Sequence, residues 1–287
     1  MSRASRHVAV SLATAGAALL AACRSDAVTA ADDALNSGLA SAGMHLQYGT
    51  PAKLGNGMAR TYVVVDQRNA GAPVELGVAL DERALDGLPT DEPAHGGESG
   101  IALVLPAQNP TPYRFVELDW NPHGHPPVAV YGLPHFDFHF YTITPTERDA
   151  IDPADPQFAA KALASVTVGA GGVPADQVPA GYVPPPGPAT DNAVPSMGVH
   201  WIDPTSPEFG GQTFTRTFLY GDWNGRFIFA EPMVTRAFLL TRPDVTVPVG
   251  TAAHYVPAGD YPSAYRVTFD AQAREYRVAL TGFAPRG

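Results

Sequence analysis

Hydrophobic and polar residues alternate with a period of two along much of the chain, the pattern of β-strands with one buried face. Runs of β-branched and aromatic residues, bounded by Gly, Pro, Asn or Asp, predict strands at residues 60–66, 74–80, 101–105, 114–120 and 127–131. Later in the chain, the Asn224-Gly225 pair predicts one hairpin, and alternation over residues 265–280 predicts another. The pattern therefore predicts a mainly β fold, an antiparallel barrel or sandwich core.

Helices are expected to be few and short. The sequence Thr144-Pro145-Thr146-Glu147 is a capping box with proline at the first helical position, and a second helix is expected over residues 157–164. Residues 169–195 hold seven prolines and five glycines, which predicts a long ordered Pro/Gly-rich loop. Candidate site residues fall on both sides of this loop, so we expect one β-rich domain over residues 44–287. The alternative is two domains divided at the loop.

The first 22 residues are interpreted as a lipoprotein signal peptide. A short basic start precedes an apolar stretch, which ends in Leu20-Ala21-Ala22-Cys23 and resembles the bacterial lipobox. Cys23 is the only cysteine, and it stands where the lipobox places the residue that is lipidated. Residues 23–43 are small and polar and are expected to form a flexible tether. An ordinary secretory signal or a short transmembrane anchor is the alternative, although the apolar stretch is short for a span.

These features predict a location in the bacterial cell envelope, on the extracytoplasmic face of a membrane that the protein contacts through its lipid only. The net charge of −10 becomes −12 once the two signal arginines are removed, and Lys53 and Lys161 are the only lysines. Such an acidic surface argues against nucleic acid as a partner. The domain after Cys23 has no cysteine and therefore no disulfide or thiolate chemistry. A small-molecule ligand remains open, and the sequence gives no oligomeric state.

The segment at residues 135–141 carries the strongest chemical signal. Read as a strand, His-Phe-Asp-Phe-His-Phe-Tyr places three phenylalanines on one face and His135, Asp137, His139 and Tyr141 on the other. The phenylalanine face must be buried. The opposite face is costly to bury unless it lines a hydrated pocket or binds a ligand.

Imidazoles and carboxylates are the usual metal ligands where no thiolate exists. The candidate ligands are His123, His125, His135, His139, His200 and Glu231, with Asp137 and Tyr141 expected behind them. The expected occupant is a single divalent transition metal, namely Zn, Mn, Fe, Cu or Ni, and the ligand types do not choose among them. We expect the histidines and Asp137 to converge on one pocket in the β core.

Two spacings bear on this hypothesis. His135 and His139 lie about 13 Å apart along an ideal strand, too far to bind one ion unless the strand bends. Glu231 shares a predicted strand face with Phe227 and Phe229, which weakens it as a ligand.

Three segments together resemble an uncharacterised family of bacterial secreted and lipid-anchored proteins, a domain of unknown function. They are residues 120–141 with Pro-His-Phe-Asp-x-His-Phe-Tyr, residues 197–201 with Met-Gly-Val-His-Trp, and residues 220–233 with Glu-Pro-Met. The resemblance spans residues 55–240. It implies a shared fold and no established activity.

Three interpretations of the histidines remain open. They form a metal site, or a metal-free pocket in which His and Asp transfer protons, or a hydrogen-bonded ladder that only stabilises the core. The function classes follow: a metal-binding protein, which would extend to a mononuclear metalloenzyme, or a non-enzymatic envelope binding or assembly module. The sequence does not decide whether the protein is an enzyme.

Overall fold

A computed structural model describes residues 38–91 and 100–287. The signal peptide, Cys23, most of the tether and part of the loop after Pro89 lie outside the described residues. Strands are numbered β1 to β16 in chain order. In the part of the chain described, no helix is long and apolar enough to cross a membrane.

Two antiparallel sheets of seven strands each make up most of the fold. The first sheet has the order β1-β3-β4-β15-β14-β12, with β2 paired to β3. Its strands are β1 Met44–Tyr48, β2 Ala52–Leu54, β3 Gly57–Asp66, β4 Ala72–Asp81, β12 Asp244–Pro248, β14 Ala264–Asp270 and β15 Glu275–Thr281. The terminal hairpin is confirmed by the pairing of β14 with β15.

The second sheet carries the histidine-rich strand and has the order β5-β6-β7-β11-β10-β9-β8. Its strands are β5 Ile101–Val104, β6 Phe115–Asn121, β7 His135–Tyr141, β8 Ala193–Val194, β9 Gly198–Trp201, β10 Arg216–Trp223 and β11 Arg226–Thr235. A separate pair is formed by β13 Gly259–Tyr261 and β16 Ala284–Arg286. The Asn224-Gly225 hairpin joins β10 to β11, as predicted.

The main apolar core of the described residues lies between these sheets. It combines Val63, Leu76 and Val78 of the first sheet with the phenylalanines of β7. Phe136, Phe138 and Phe140 are all fully buried there. The alternation read from the sequence thus fixes which face of β7 meets the main core, and it leaves the histidine face turned away from it.

Short helices complete the fold: α1 Val128–Tyr131, α2 Pro145–Asp149, α3 Phe158–Val166, α4 Ala189–Asn192 and α5 Arg236–Leu239. Thr144 and Glu147 form the predicted capping box at the start of α2. The mainly β, antiparallel fold with few short helices is confirmed. The strand predicted at residues 127–131 is wrong, because these residues form α1, which begins after Pro127. An apolar run this short has no periodicity that separates a strand from a helical turn.

Candidate metal centre

The histidine face of β7 is buried like its phenylalanine face. All seven residues of β7 are buried, although one side of the strand consists of His135, Asp137, His139 and Tyr141. The neighbouring strand β6 places Glu117 opposite His139, Asp119 opposite Asp137 and Asn121 opposite His135. Two adjacent strands therefore present polar side chains to the same buried space, which requires polar or ionic partners there.

Strand β11 completes this face from the other side of β7. The register that pairs Phe229 with Tyr141 and Met233 with Asp137 brings Glu231 beside His139. The expectation that Phe227, Phe229 and Glu231 share one face is wrong. The β10–β11 pairing shifts register at Gly221, which inserts Ile228 as a bulge residue and reverses the alternation after Phe227.

This bulge has a direct consequence for the site. Phe227 belongs to the main core, whereas Phe229 belongs to a separate apolar cluster with Tyr141 and Ile228. The ring of Phe229 lies 4.9 Å from that of His139 and 5.2 Å from that of His200, measured between ring centroids. Phe229 is therefore a neighbour of the candidate ligands, and Glu231 is turned toward them with 1% of its surface exposed.

Among the described residues, two groups could hold a metal ion. The first contains His139, His200 and Glu231, and we call it the His139 group. Each residue offers one ligand atom, and these atoms lie within 4.8 Å of one another. Nε2 of His139 is 3.3 Å from Oε1 of Glu231, and Nε2 of His200 is 3.5 Å from Oε2. His200 lies on strand β9, where it pairs with Gly221 of the adjacent strand β10.

Asp119 stands behind this group. Nδ1 of His139 donates a hydrogen bond to Oδ2 of Asp119 at 3.0 Å, which directs Nε2 toward Glu231. A carboxylate that orients the far nitrogen of a histidine is the usual arrangement behind a metal-binding imidazole. Asp119 was not singled out from the sequence. The signal was present in the alternation of Glu117, Asp119 and Asn121 with apolar residues along a predicted strand.

The second group contains His125, His135 and Asp137, again with ligand atoms within 4.8 Å, and we call it the His135 group. Nε2 of His135 is 3.1 Å from Oδ1 of Asp137, and Nε2 of His125 is 3.4 Å from Oδ2. The two imidazole rings meet edge to face with centroids 4.7 Å apart. Asp137, expected behind the ligands, thus presents one oxygen directly to each histidine.

Electrostatic interactions across this face displace several pKa values. Burial alone lowers the pKa of His139, but Glu231 and Asp119 raise it to about 10. Burial and the neighbouring His139 lower the pKa of His200 to about 3, and burial raises that of Glu231 to about 8. In the His135 group, Asp137 raises the pKa of His125 to about 9 against the effect of burial. A proton and a metal ion would therefore compete for His125 and His139.

Two of the predicted residues, His123 and Tyr141, belong to neither group. His123 is exposed, and its Nε2 lies 3.0 Å from the carbonyl oxygen of Thr90. Tyr141 lies beside His139 with ring centroids 5.8 Å apart, but its hydroxyl donates to the carbonyl of Ser196 at 3.1 Å. The remaining candidates come together as two adjacent groups instead of one, and His135 and His139 stand in different groups, as their spacing along β7 requires.

Comparison with known proteins adds little to this geometry. Residues 69–120 match the model of a family described as TTHB210-like, hypothetical protein TTHB210. No curated protein and no solved structure matches the chain. The matched stretch includes Asp119 but none of the six residues of the two groups.

Proposed function

We propose that the protein is a lipid-anchored, extracytoplasmic metal-binding protein that holds a divalent transition metal in the His139 group. His139, His200 and Glu231 would be its ligands, with Asp119 orienting His139. A Zn ion bound this way would have three protein ligands and one open position, whether or not it catalyses a reaction.

The observation that carries the proposal is a set of ligand atoms that lie close together, two of which are buried without a hydrogen-bond partner. Among the described residues, Nε2 of His139 and Oε2 of Glu231 are buried and lack one. An ion pair between imidazolium and carboxylate usually closes to about 2.7–2.9 Å. The separations of 3.3 Å and 3.5 Å are longer. They match the ligand-to-ligand distance of about 3.4 Å around a tetrahedral ion with bonds of about 2.1 Å.

The charge of the site supports the same conclusion. Glu117, Asp119, Asp137 and Glu231 are four buried carboxylates on one sheet face. Arg148 is paired with Glu117. The other three carboxylates have histidines and Asn121 as their partners. Buried carboxylates need compensating positive charge, which a divalent cation supplies.

The proposal is limited to metal binding and assigns no catalysed reaction. Of two cavities in the described part of the chain, one is lined mainly by aromatic residues and the other by residues around Trp223. None of the six candidate ligands in the two groups lines either cavity. His200 retains 20% of its side-chain surface, so the His139 group is reachable from one side.

The test uses the full chain, purified in detergent without a histidine tag. After incubation with Zn(II) or Co(II) and dialysis, bound metal is measured by mass spectrometry, and the visible spectrum of Co(II) reports tetrahedral nitrogen and oxygen ligation. His200→Ala is expected to lose the metal of this group with its circular dichroism unchanged. His254→Ala is the matched control, because His254 is an exposed histidine paired with Asp176. Wild-type protein that binds none of the added metals would refute the proposal.

The anchoring part of the proposal rests on the lipobox at Cys23. Cys23→Ala is expected to release the protein from the membrane fraction and to abolish labelling by a fatty acid, because the sulfur of Cys23 is the attachment point of the lipid. Metal content should be unchanged in the same variant. Continued labelling of Cys23→Ala would overturn the anchoring proposal and leave metal binding untouched.

A further inference from the structure

The His135 group repeats the construction of the His139 group one step along β7. It has the same donors, two imidazoles and one carboxylate. Within the described residues, Nε2 of His135 and Oδ1 of Asp137 are again buried without a hydrogen-bond partner. Each group on this sheet face therefore contains one imidazole nitrogen and one carboxylate oxygen that are buried and unsatisfied.

Both histidines of this group are held by their other nitrogen. Nδ1 of His135 donates to the carbonyl of Leu133 at 2.6 Å, and Nδ1 of His125 donates to the carbonyl of Pro126 at 2.9 Å. In the neutral form of each ring, Nε2 then carries a lone pair and lies close to an oxygen of Asp137, at 3.1 Å for His135 and 3.4 Å for His125. Lone pairs on atoms this close repel, so either a proton or a cation must compensate them.

The local backbone is shaped to bring His125 over the strand. Gly124 has φ of +70°, and a Cβ there would lie 2.0 Å from the carbonyl oxygen of Tyr131. The amide of His125 donates to that same carbonyl at 3.2 Å. Residues 121–134 thus fold back through α1 and place His125 beside His135. A side chain at position 124 would prevent this return.

The two groups are too far apart to bind the same ion and close enough to influence each other. His135 and His139, one from each group, are four residues apart on β7, a separation of about 13 Å between Cα atoms. Two ligands of one ion are at most about 4.2 Å apart when each bond is about 2.1 Å. Asp137 nevertheless contributes to the pKa displacement of Glu231, His139 and His200.

We infer that the His135 group is a second cation site, so that the protein binds two divalent transition metals side by side along β7. The inference builds on the proposed function for the first ion, but it has its own ligands. His125 keeps 29% of its side-chain surface, so the second site also has a solvent-facing ligand.

Stoichiometry is the direct test. The full chain is titrated with Co(II), and wild-type protein is expected to bind two equivalents. His125→Ala and Asp137→Asn should each bind one, His200→Ala should bind one, and the double variant His125→Ala/His200→Ala none. His123→Ala is the matched control, because His123 lies two residues from His125 and belongs to neither group. It should still bind two.

A spectroscopic measurement checks that the sites are neighbours. With Cu(II) in both sites, dipolar coupling should broaden the electron paramagnetic resonance spectrum, and His125→Ala should restore the spectrum of an isolated ion. Wild-type protein that binds one equivalent, unchanged by His125→Ala and lost in His200→Ala, would overturn the second site and leave the proposed function standing. A single equivalent lost only in His125→Ala would overturn the first site instead. If Asp137→Asn fails to fold, the second site is still tested by His125→Ala, because His125 is partly exposed.

Discussion

The hydrogen bond between His139 and Asp119 offers a quantitative test of the site, through the variant Asp119→Asn. Both side chains are buried, and Nδ1 of His139 lies 3.0 Å from Oδ2 of Asp119. Asparagine keeps an oxygen that accepts this hydrogen bond, but it removes the negative charge. The ring should keep its orientation while Nε2 becomes a weaker donor to the metal.

Loss of such a supporting carboxylate typically reduces metal affinity by about 10- to 100-fold, or about 1.4–2.7 kcal/mol of binding free energy. Proton competition acts in the opposite direction. Asp119 helps to raise the pKa of His139 to about 10, so its removal makes the proton easier to displace. The loss of affinity should therefore be larger near pH 9 than near pH 7.

The assay is competition for Zn(II) against a chromophoric chelator at both pH values. Asp176→Asn is the matched control, because Asp176 forms the same contact with Nδ1 of His254 at 2.9 Å on the exposed surface. It should leave the affinity unchanged. An Asp119→Asn affinity within about twofold of wild type at both pH values would refute the supporting role. A loss as complete as that of His139→Ala would make Asp119 a direct ligand.

Three further predictions follow from neighbouring features. In Gly221→Ala the added Cβ would lie 2.0 Å from the ring of Phe229, which packs on His139 and His200. This variant should therefore lower the free energy of unfolding in urea by about 1–3 kcal/mol and also weaken metal binding. Metal at about 100 times its Kd contributes about 2.7 kcal/mol to the free energy of unfolding. Removing it with a chelator should therefore lower the melting temperature of metal-loaded protein by on the order of 5–10 °C, and an unchanged melting temperature would contradict this. Burial raises the pKa of Asp222 to about 7. Ionisation of this carboxyl therefore destabilises the fold increasingly from about pH 4 to pH 7. In unfolding measurements, the free energy of unfolding of Asp222→Asn should exceed that of wild type by up to about 4 kcal/mol near pH 8 but by little near pH 4.

The strands and the polar face of β7 could be predicted from the sequence because both depend on local alternation. Phe136, Phe138 and Phe140 can be buried together only in an extended segment, and this also sets the direction of His135 and His139. The hairpin at Asn224-Gly225 is equally local. Information of this kind is sufficient for the fold class and for one strand of the site.

The grouping of the ligands could not be predicted, because it depends on register between strands distant in sequence. Because of the bulge at Ile228, Glu231 faces His139. Regular alternation continued from Phe227 through Phe229 would instead place Glu231 on the same face as Phe227, toward the main core. His123 and His125 were also expected in one pocket, whereas the turn at Gly124 sends them apart. One extra residue in a strand and one positive φ angle therefore determine the ligand sets.

The energetics of the buried face explain why cations are the expected occupants. Nε2 of His135, Oδ1 of Asp137, Nε2 of His139 and Oε2 of Glu231 are the unsatisfied ligand atoms in the described part of the chain. An unsatisfied buried polar atom costs about 1–3 kcal/mol, so four of them cost about 4–12 kcal/mol. That is comparable to the whole free energy of unfolding of a typical domain, about 5–15 kcal/mol. Because the phenylalanine face fixes the register of β7, the strand cannot relieve this cost by slipping one residue and turning its histidines to solvent. Two cations, one in each group, satisfy all four atoms at once and offset the charge of the carboxylates beside them.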